Sequence, residues 1–145
     1  MAACVLDCSV ALSWILPGEH DRETSKLLDL VTQEGAIAPE IWTLEVANVL
    51  LMAERRRRLT QAQRTTALLS LKALDIAIDR ETSTIAWVAI LDLAASQNLT
   101  VYDAAYLELA LRSGLPLATL DQALLRAASV VGVQTLGGAI SPPKA

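Results

Sequence analysis

The sequence predicts an α/β fold, a three-layer α/β/α sandwich on a mainly parallel central sheet. Short apolar runs alternate with segments of helical period along the whole chain. Strands that alternate with helices imply right-handed crossovers and a parallel sheet covered on both faces. At 145 residues and 53% hydrophobic content the chain has enough apolar material for one substantial core. There is no internal repeat and no linker, so residues 1–136 are expected to form a single domain.

Val5-Leu6-Asp7 reads as a buried strand that delivers a carboxylate to its carboxyl end, where open α/β sheets bind their ligands. Ser9 is placed to cap a short helix through Trp14 to Leu16, ended by Pro17-Gly18. Asp21 reads as the cap of a second helix through Leu27, Leu28 and Val31 that closes near Gly35. Ala36-Ile37-Ala38 is a short strand stopped by Pro39, and a long helix follows from about Glu40 to Arg58. Thr60 with Gln63 makes a capping box for a helix through Leu68, Leu71 and Leu74. Ile76-Ala77-Ile78 is the next strand, followed by a helix from about Thr82 through Leu93. A further helix runs from near Tyr102-Asp103 to Arg112, with Gly114 in the stop position. Leu115 to Leu120 is a strand ending at Asp121, Gln122 to Ala128 a short helix and Val130 to Leu136 a last strand. The glycine- and proline-containing stretch 137–145 is expected to be a flexible tail.

Several function classes are disfavoured. No run approaches the roughly 20 apolar residues that span a bilayer, so no membrane association is expected. The N-terminus lacks a basic flank before an apolar core, and the protein is expected to be cytoplasmic. A formal net charge of -4 argues against coating nucleic acid through bulk charge, but not against holding a phosphodiester through metal ions. Cys4 and Cys8 are the only cysteines, and without a further Cys or His at ligand spacing they read as buried thiols in a reducing compartment. His20, the one histidine, has no orienting partner in the sequence and reads as a loop residue rather than a general base. There is no glycine-rich phosphate cradle with its lysine, which disfavours nucleotide binding.

Four acids stand out. Glu45 shares a helix face with Trp42, Val49 and Met52, where an unpartnered charge is costly. Either it snorkels to water at the edge of that face or it is aimed at a cation or a cleft. Asp103 shares a face with Tyr106, Leu107 and Ala110, although a cap in the first helical turn also explains it. Asp7 and Asp121 each follow a strand and precede a helix, where capping is again an alternative. If the strands that carry these two are neighbours, both emerge at the same carboxyl edge. Four acids in one cleft repel one another unless a divalent cation neutralises them, and a hard cation suits an all-oxygen donor set.

These residues lie in segments that resemble the PIN-domain ribonucleases, and more narrowly the VapC-type toxins of type II toxin–antitoxin pairs. The matching pieces are Val5-Leu6-Asp7-Cys8-Ser9-Val10-Ala11 with Trp14 and Glu19, then Glu45-Val46-Ala47-Asn48-Val49-Leu50, Tyr102 through Ala110, and Gly114 through Asp121. They span nearly the whole chain in the right order. The resemblance implies a PIN-like fold and an endoribonuclease dependent on Mg2+ or Mn2+, with Asp7, Glu45, Asp103 and Asp121 as its acidic site. It makes Asp7 and Asp103 direct metal ligands and Asp121 a ligand directly or through water, while Glu45 holds a water on the metal or a second cation. Ser9 and Thr119 match hydroxyl positions that support these carboxylates. Cys8 departs from the small residue, such as Ala, more frequent there. Metal-activated water would then attack in line and leave 5′-phosphate and 3′-hydroxyl ends.

The run Arg55-Arg56-Arg57-Arg58 closes the helix that carries Glu45. It is either a solvated helix end favoured by the dipole, or a contact to RNA or to an acidic partner segment. The apolar helices around Leu68 to Leu74 and Trp14 suggest more apolar surface than a monomer leaves exposed. A homodimer and a groove for a helix of a cognate antitoxin protein are the uses the family implies. Two other readings stand beside the toxin. One is a PIN nuclease that matures cellular RNA without a toxin role. The other is a non-catalytic α/β interaction module, such as a receiver, although no lysine lies between Lys72 and Lys144 to serve a receiver's acids.

Overall fold

The computed structural model describes residues 2–141. Five parallel strands run in the order β3-β2-β1-β4-β5, with helices on both faces. In chain order the elements begin with β1 (Val5–Leu6), α1 (Cys8–Ile15), α2 (Arg22–Glu34), β2 (Ala36–Pro39) and α3 (Ile41–Arg55). There follow α4 (Gln61–Lys72), β3 (Ile76–Asp79), α5 (Thr82–Ile85), a wider π turn (Ala86–Ile90), α6 (Leu91–Gln97), α7 (Val101–Ser113), β4 (Leu117–Ala118), α8 (Gln122–Val131) and β5 (Thr135–Leu136). The strand order reverses beside β1, which pairs with β2 on one side and β4 on the other. The carboxyl end of β1 is therefore the switch point of the sheet, the position where such sheets bind ligands.

The local signals act as their chemistry dictates. Asp21 and Thr24 close a reciprocal capping box at the start of α2, and Thr60 and Gln63 do the same for α4. At Gly35 the backbone takes φ 77°, and a Cβ there would stand 2.9 Å from the Asp75 carbonyl oxygen, so glycine answers both the conformation and the space. The centre of the molecule is α7, in which every residue from Ala104 to Ala110 is buried. A helix buried nearly all round belongs to a core rather than a surface, and α7 lies against β1, β2 and β4. Val5, Leu6, Leu50, Tyr106, Leu107 and Leu117 are all closed to solvent. Each such aliphatic side chain contributes about 1.5–3 kcal/mol by leaving water.

Several boundaries differ from the expectation. Helix α1 starts at Cys8 with Asp7 in the N-cap position, two residues earlier than a Ser9 cap implies. Strand β4 is confined to Leu117–Ala118, because Thr119 and Leu120 turn away with their polar groups engaged by Ser9 and Leu136. Helix α8 continues to Val131 and closes at Gly132 in the left-handed region, which leaves only Thr135–Leu136 for β5. The helix expected from Thr82 is three pieces joined through the π turn. Of the expected tail, 142–145 lie outside the described residues. Gly138 packs so closely on the Thr119 carbonyl that a Cβ would stand 3.0 Å away, and the Gln122 amide bonds Ala139 and Ser141. Among the described residues no single helix is long and apolar enough to cross a membrane.

Candidate active site

The register Leu6↔Ala118 sets the ends of β1 and β4 side by side, and the Asp7 amide donates to the Ala118 carbonyl at 3.0 Å. Asp7 is 3% exposed. Although it occupies the N-cap position of α1, its side chain caps nothing. Instead Oδ2 accepts from Ser9 Oγ at 2.6 Å and from Thr119 Oγ1 at 2.8 Å. Each hydroxyl is fixed in turn: Ser9 Oγ accepts from the Leu120 amide and Thr119 Oγ1 from the Asp121 amide, both at 3.0 Å. This relay locks the Asp7 carboxylate to the loop that carries Asp121. Burial raises the Asp7 pKa, the two hydroxyl bonds oppose the rise, and the charge of Asp121 adds to it.

Asp121 is the N-cap of α8, with Oδ1 accepting from the Leu124 amide at 3.0 Å. Its capping role is therefore real and occupies one oxygen. Asp103 differs, because the cap of α7 is Thr100, whose hydroxyl accepts from the Asp103 amide at 3.1 Å. The Asp103 carboxylate is left to face the cluster, and its pKa is pushed up to about 6, first by burial and then by the charges of Asp121 and Asp7.

Glu45 stands in the second turn of α3, half-buried beside the core residues Trp42 and Val46. Its Oε1 accepts a hydrogen bond from the Tyr106 hydroxyl, and Tyr106 is closed to solvent. Burial raises the Glu45 pKa, the Tyr106 bond opposes the rise, and Asp7 and Asp103 reinforce it. Cys8 lies within the same field. Burial, then the charges of Asp7, Glu45 and Asp103, push its thiol far above the ordinary range, so it stays protonated. Burial likewise lifts Cys4 to about 11.

The fold thus gathers the four acids from the end of β1, the start of α8, the second turn of α3 and the first turn of α7. Each of Asp7, Glu45 and Asp103 feels the charge of others in the set. Among the described residues every ion pair is made elsewhere, by Glu19, Glu23, Glu54, Asp79 and Glu108, so no basic side chain neutralises the cluster. The donor set fits a hard divalent cation in chemistry, all oxygen and short of positive charge. In position, no three of the described Asp, Glu, His or Cys side chains stand ready around one point. His20 stays in an exposed loop against Ser25 Oγ.

Sequence reasoning missed Tyr106 as a partner of Glu45. A signal was present, since a buried phenol must find an acceptor for its hydroxyl. A cavity of about 540 Å³, lined by Trp14, Leu28, Leu59 and Leu71, includes none of the four acids.

A parallel α/β/α domain with carboxylates converging where β1 and β4 end defines a class of acidic-cleft domains. Within it, this chain belongs to the PIN domain family, whose model matches residues 4–130 and whose members are generally nucleases. Two solved structures share the fold. PAE2754 from Pyrobaculum aerophilum superposes with a TM-score of 0.68 at 20% identity, covering 92% of this chain and 89% of that one. FitAcB from Neisseria gonorrhoeae does so with a TM-score of 0.62 at 18% identity, covering 92% and 96%. Among curated proteins none matches the sequence.

Proposed function

We propose that the chain is a metal-dependent endoribonuclease and the toxin of a toxin–antitoxin pair. The observation that carries the catalytic part is the convergence of Asp7, Glu45, Asp103 and Asp121 with no neutralising base among the described residues. Raised carboxylate pKa values mark groups for which a cation would be a better neighbour than one another. Asp7 and Asp103 would hold Mg2+ or Mn2+ directly, with the free oxygen of Asp121 as a further donor. The chemistry such a cation would supply there is charge neutralisation at the scissile phosphate and a lowered pKa of bound water.

The protein's own groups do the rest. Ser9 and Thr119 fix the Asp7 carboxylate, so little reorganisation is needed when charge arrives. Glu45, aimed by Tyr106, orients the attacking water and takes its proton at the carboxylate oxygen. The scissile P–O bond breaks opposite the attacking oxygen, and its electron pair goes to the 3′-oxygen, which takes a proton from solvent, leaving a 5′-phosphate and a 3′-hydroxyl.

The toxin role draws support from apolar surface. The cavity beside Trp14 adjoins one of about 370 Å³ beside Trp42, and both are walled by Leu71 and Leu74, a groove suited to an apolar antitoxin segment. Trp87 and Tyr102, 90% and 62% exposed, offer a face for a homodimer. Purified protein should cleave RNA with Mg2+ and stop with EDTA, and its induced expression should arrest growth unless the neighbouring gene is co-expressed. Cleavage unaffected by EDTA would refute the catalytic reading, and growth unaffected by an active nuclease would refute the toxin reading.

A further inference from the structure

We propose that the furrow between α1 and α3 is the track on which an RNA strand leaves the acidic cluster, with Arg56 and Arg58 holding its phosphates. This rests on the nuclease reading and extends it to the binding of substrate beyond the cleaved bond. Helix α1 starts immediately after Asp7, α3 carries Glu45 in its second turn, and the two pack side by side. Both therefore run away from the acids in the same sense. At 3.6 residues per turn, Arg56 returns to the side of α3 that bears Glu45, about 16 Å further along the axis. Beyond Glu45, where the end of α1 meets α3, a furrow of about 170 Å³ is lined by Leu16, Asn48, Val49, Met52 and Ala53 together with Arg56 and Arg58. A mainly apolar lining with two guanidinium groups beside it suits a strand whose sugars and bases rest against it and whose phosphates are gripped.

The way α3 ends supports a use for these side chains. The Arg58 amide bonds the Ala53 carbonyl at 2.8 Å and the Arg57 amide bonds that of Glu54 at 2.9 Å, a Schellman closure. Glycine is the residue that closure favours at the left-handed position, yet Arg57 sits there at φ 59°. All four residues of the run are exposed. Only Arg58 among them shares an ion pair within the described residues, with Glu19 at 3.4 Å and both side chains nearly half-open to water. A helix dipole accounts for a cation or two in the last turn and does not account for a run continued beyond it. A polyanion approaching four carboxylates needs such a grip, which an overall charge of -4 does not otherwise supply.

The test is direct binding of a labelled single-stranded RNA of about 12 nucleotides in EDTA, by fluorescence anisotropy between about 50 and 300 mM KCl. Wild type is compared with Arg56→Ala/Arg58→Ala and with Arg56→Lys/Arg58→Lys. The alanine pair should weaken binding and make the slope of log K against log salt shallower by about 1.4, at about 0.7 per lost contact to a single strand. The lysine pair, which keeps both charges, should retain most of the wild-type slope and serves as the control for folding. Wild type without RNA binding, an alanine pair with unchanged slope, or a lysine pair that behaves as the alanine pair would each overturn the inference. Arginine-dependent binding of polyglutamate in place of RNA would also overturn it and make this end of α3 a protein surface. Cleavage with Mg2+ is read separately. A wild type that binds RNA through these arginines but never cuts it refutes the nuclease reading alone, whereas cleavage with an unaltered KM in the alanine pair refutes the track alone.

Discussion

Without metal, the protein should lose stability as pH rises from about 4 to 6, the reverse of ordinary acid denaturation. The cause is Asp103, whose carboxyl is lifted from 3.8 to about 6 by burial and by the charges of Asp121 and Asp7. Between those two values the folded protein keeps a proton that the unfolded chain releases, so unfolding is favoured progressively until the folded pKa is passed. Were the group fully enclosed, that difference would be worth ~3 kcal/mol. Asp103 is partly open to water, and solvent screening brings the figure to about 1.5 kcal/mol. For a domain of this size that is a fall of roughly 3–6 °C in Tm. Asp7 and Glu45, also raised, act in the same direction. Asp79, held low by Arg112, acts oppositely, but its contribution is lost only as pH falls below the ordinary carboxylate range. The assay is thermal melting in EDTA across this range for wild type and Asp103→Asn. The variant should melt higher than wild type at pH 8 and show a shallower dependence. Saturating Mg2+ should raise the wild-type Tm more at pH 8 than at pH 5, because a cation favours the ionised carboxylates. A wild-type Tm that is flat or rises with pH in EDTA, or an Asp103→Asn slope equal to wild type, refutes the reasoning.

Asp7→Asn should abolish RNA cleavage while far-UV circular dichroism stays native; full activity in this variant would remove Asp7 from the site. Glu45→Gln should preserve or raise metal-free Tm, since it removes repulsion and leaves an oxygen for the Tyr106 hydroxyl; failure to fold would make Glu45 a structural acid. Thr119→Val strips one donor from the Asp7 carboxylate and orphans the Asp121 amide, at a cost of about 1–3 kcal/mol in chemical denaturation, and an unchanged midpoint would show that the relay contributes nothing to stability. Leu50→Ala, at a position closed to solvent, should cost about 2–5 kcal/mol of stability, read the same way.

What could be read from the sequence follows range. The capping boxes at Asp21 and Thr60 join residues three apart, so their chemistry is visible in the sequence itself. The apolar runs located all five strands, but β4 and β5 are shorter than their runs, because hydrophobicity marks burial and not which backbone groups find a ladder partner. Asp103 and Asp121 look alike as acids near helix starts. They diverge because Thr100 takes the cap of α7 while nothing replaces Asp121 in α8, a matter of helix phase by one turn.

The sequence by itself determined the alternation that makes a parallel sheet, the four acids and their places at the starts of helices. Only the tertiary structure decided that Asp7 serves no cap and is gripped by Thr119, 112 residues away, or that Glu45 is met by Tyr106, 61 residues on. Strand order joins those positions. A carboxylate's partners are set by which strands lie side by side, and that choice belongs to the packing of the whole core rather than to any local pattern.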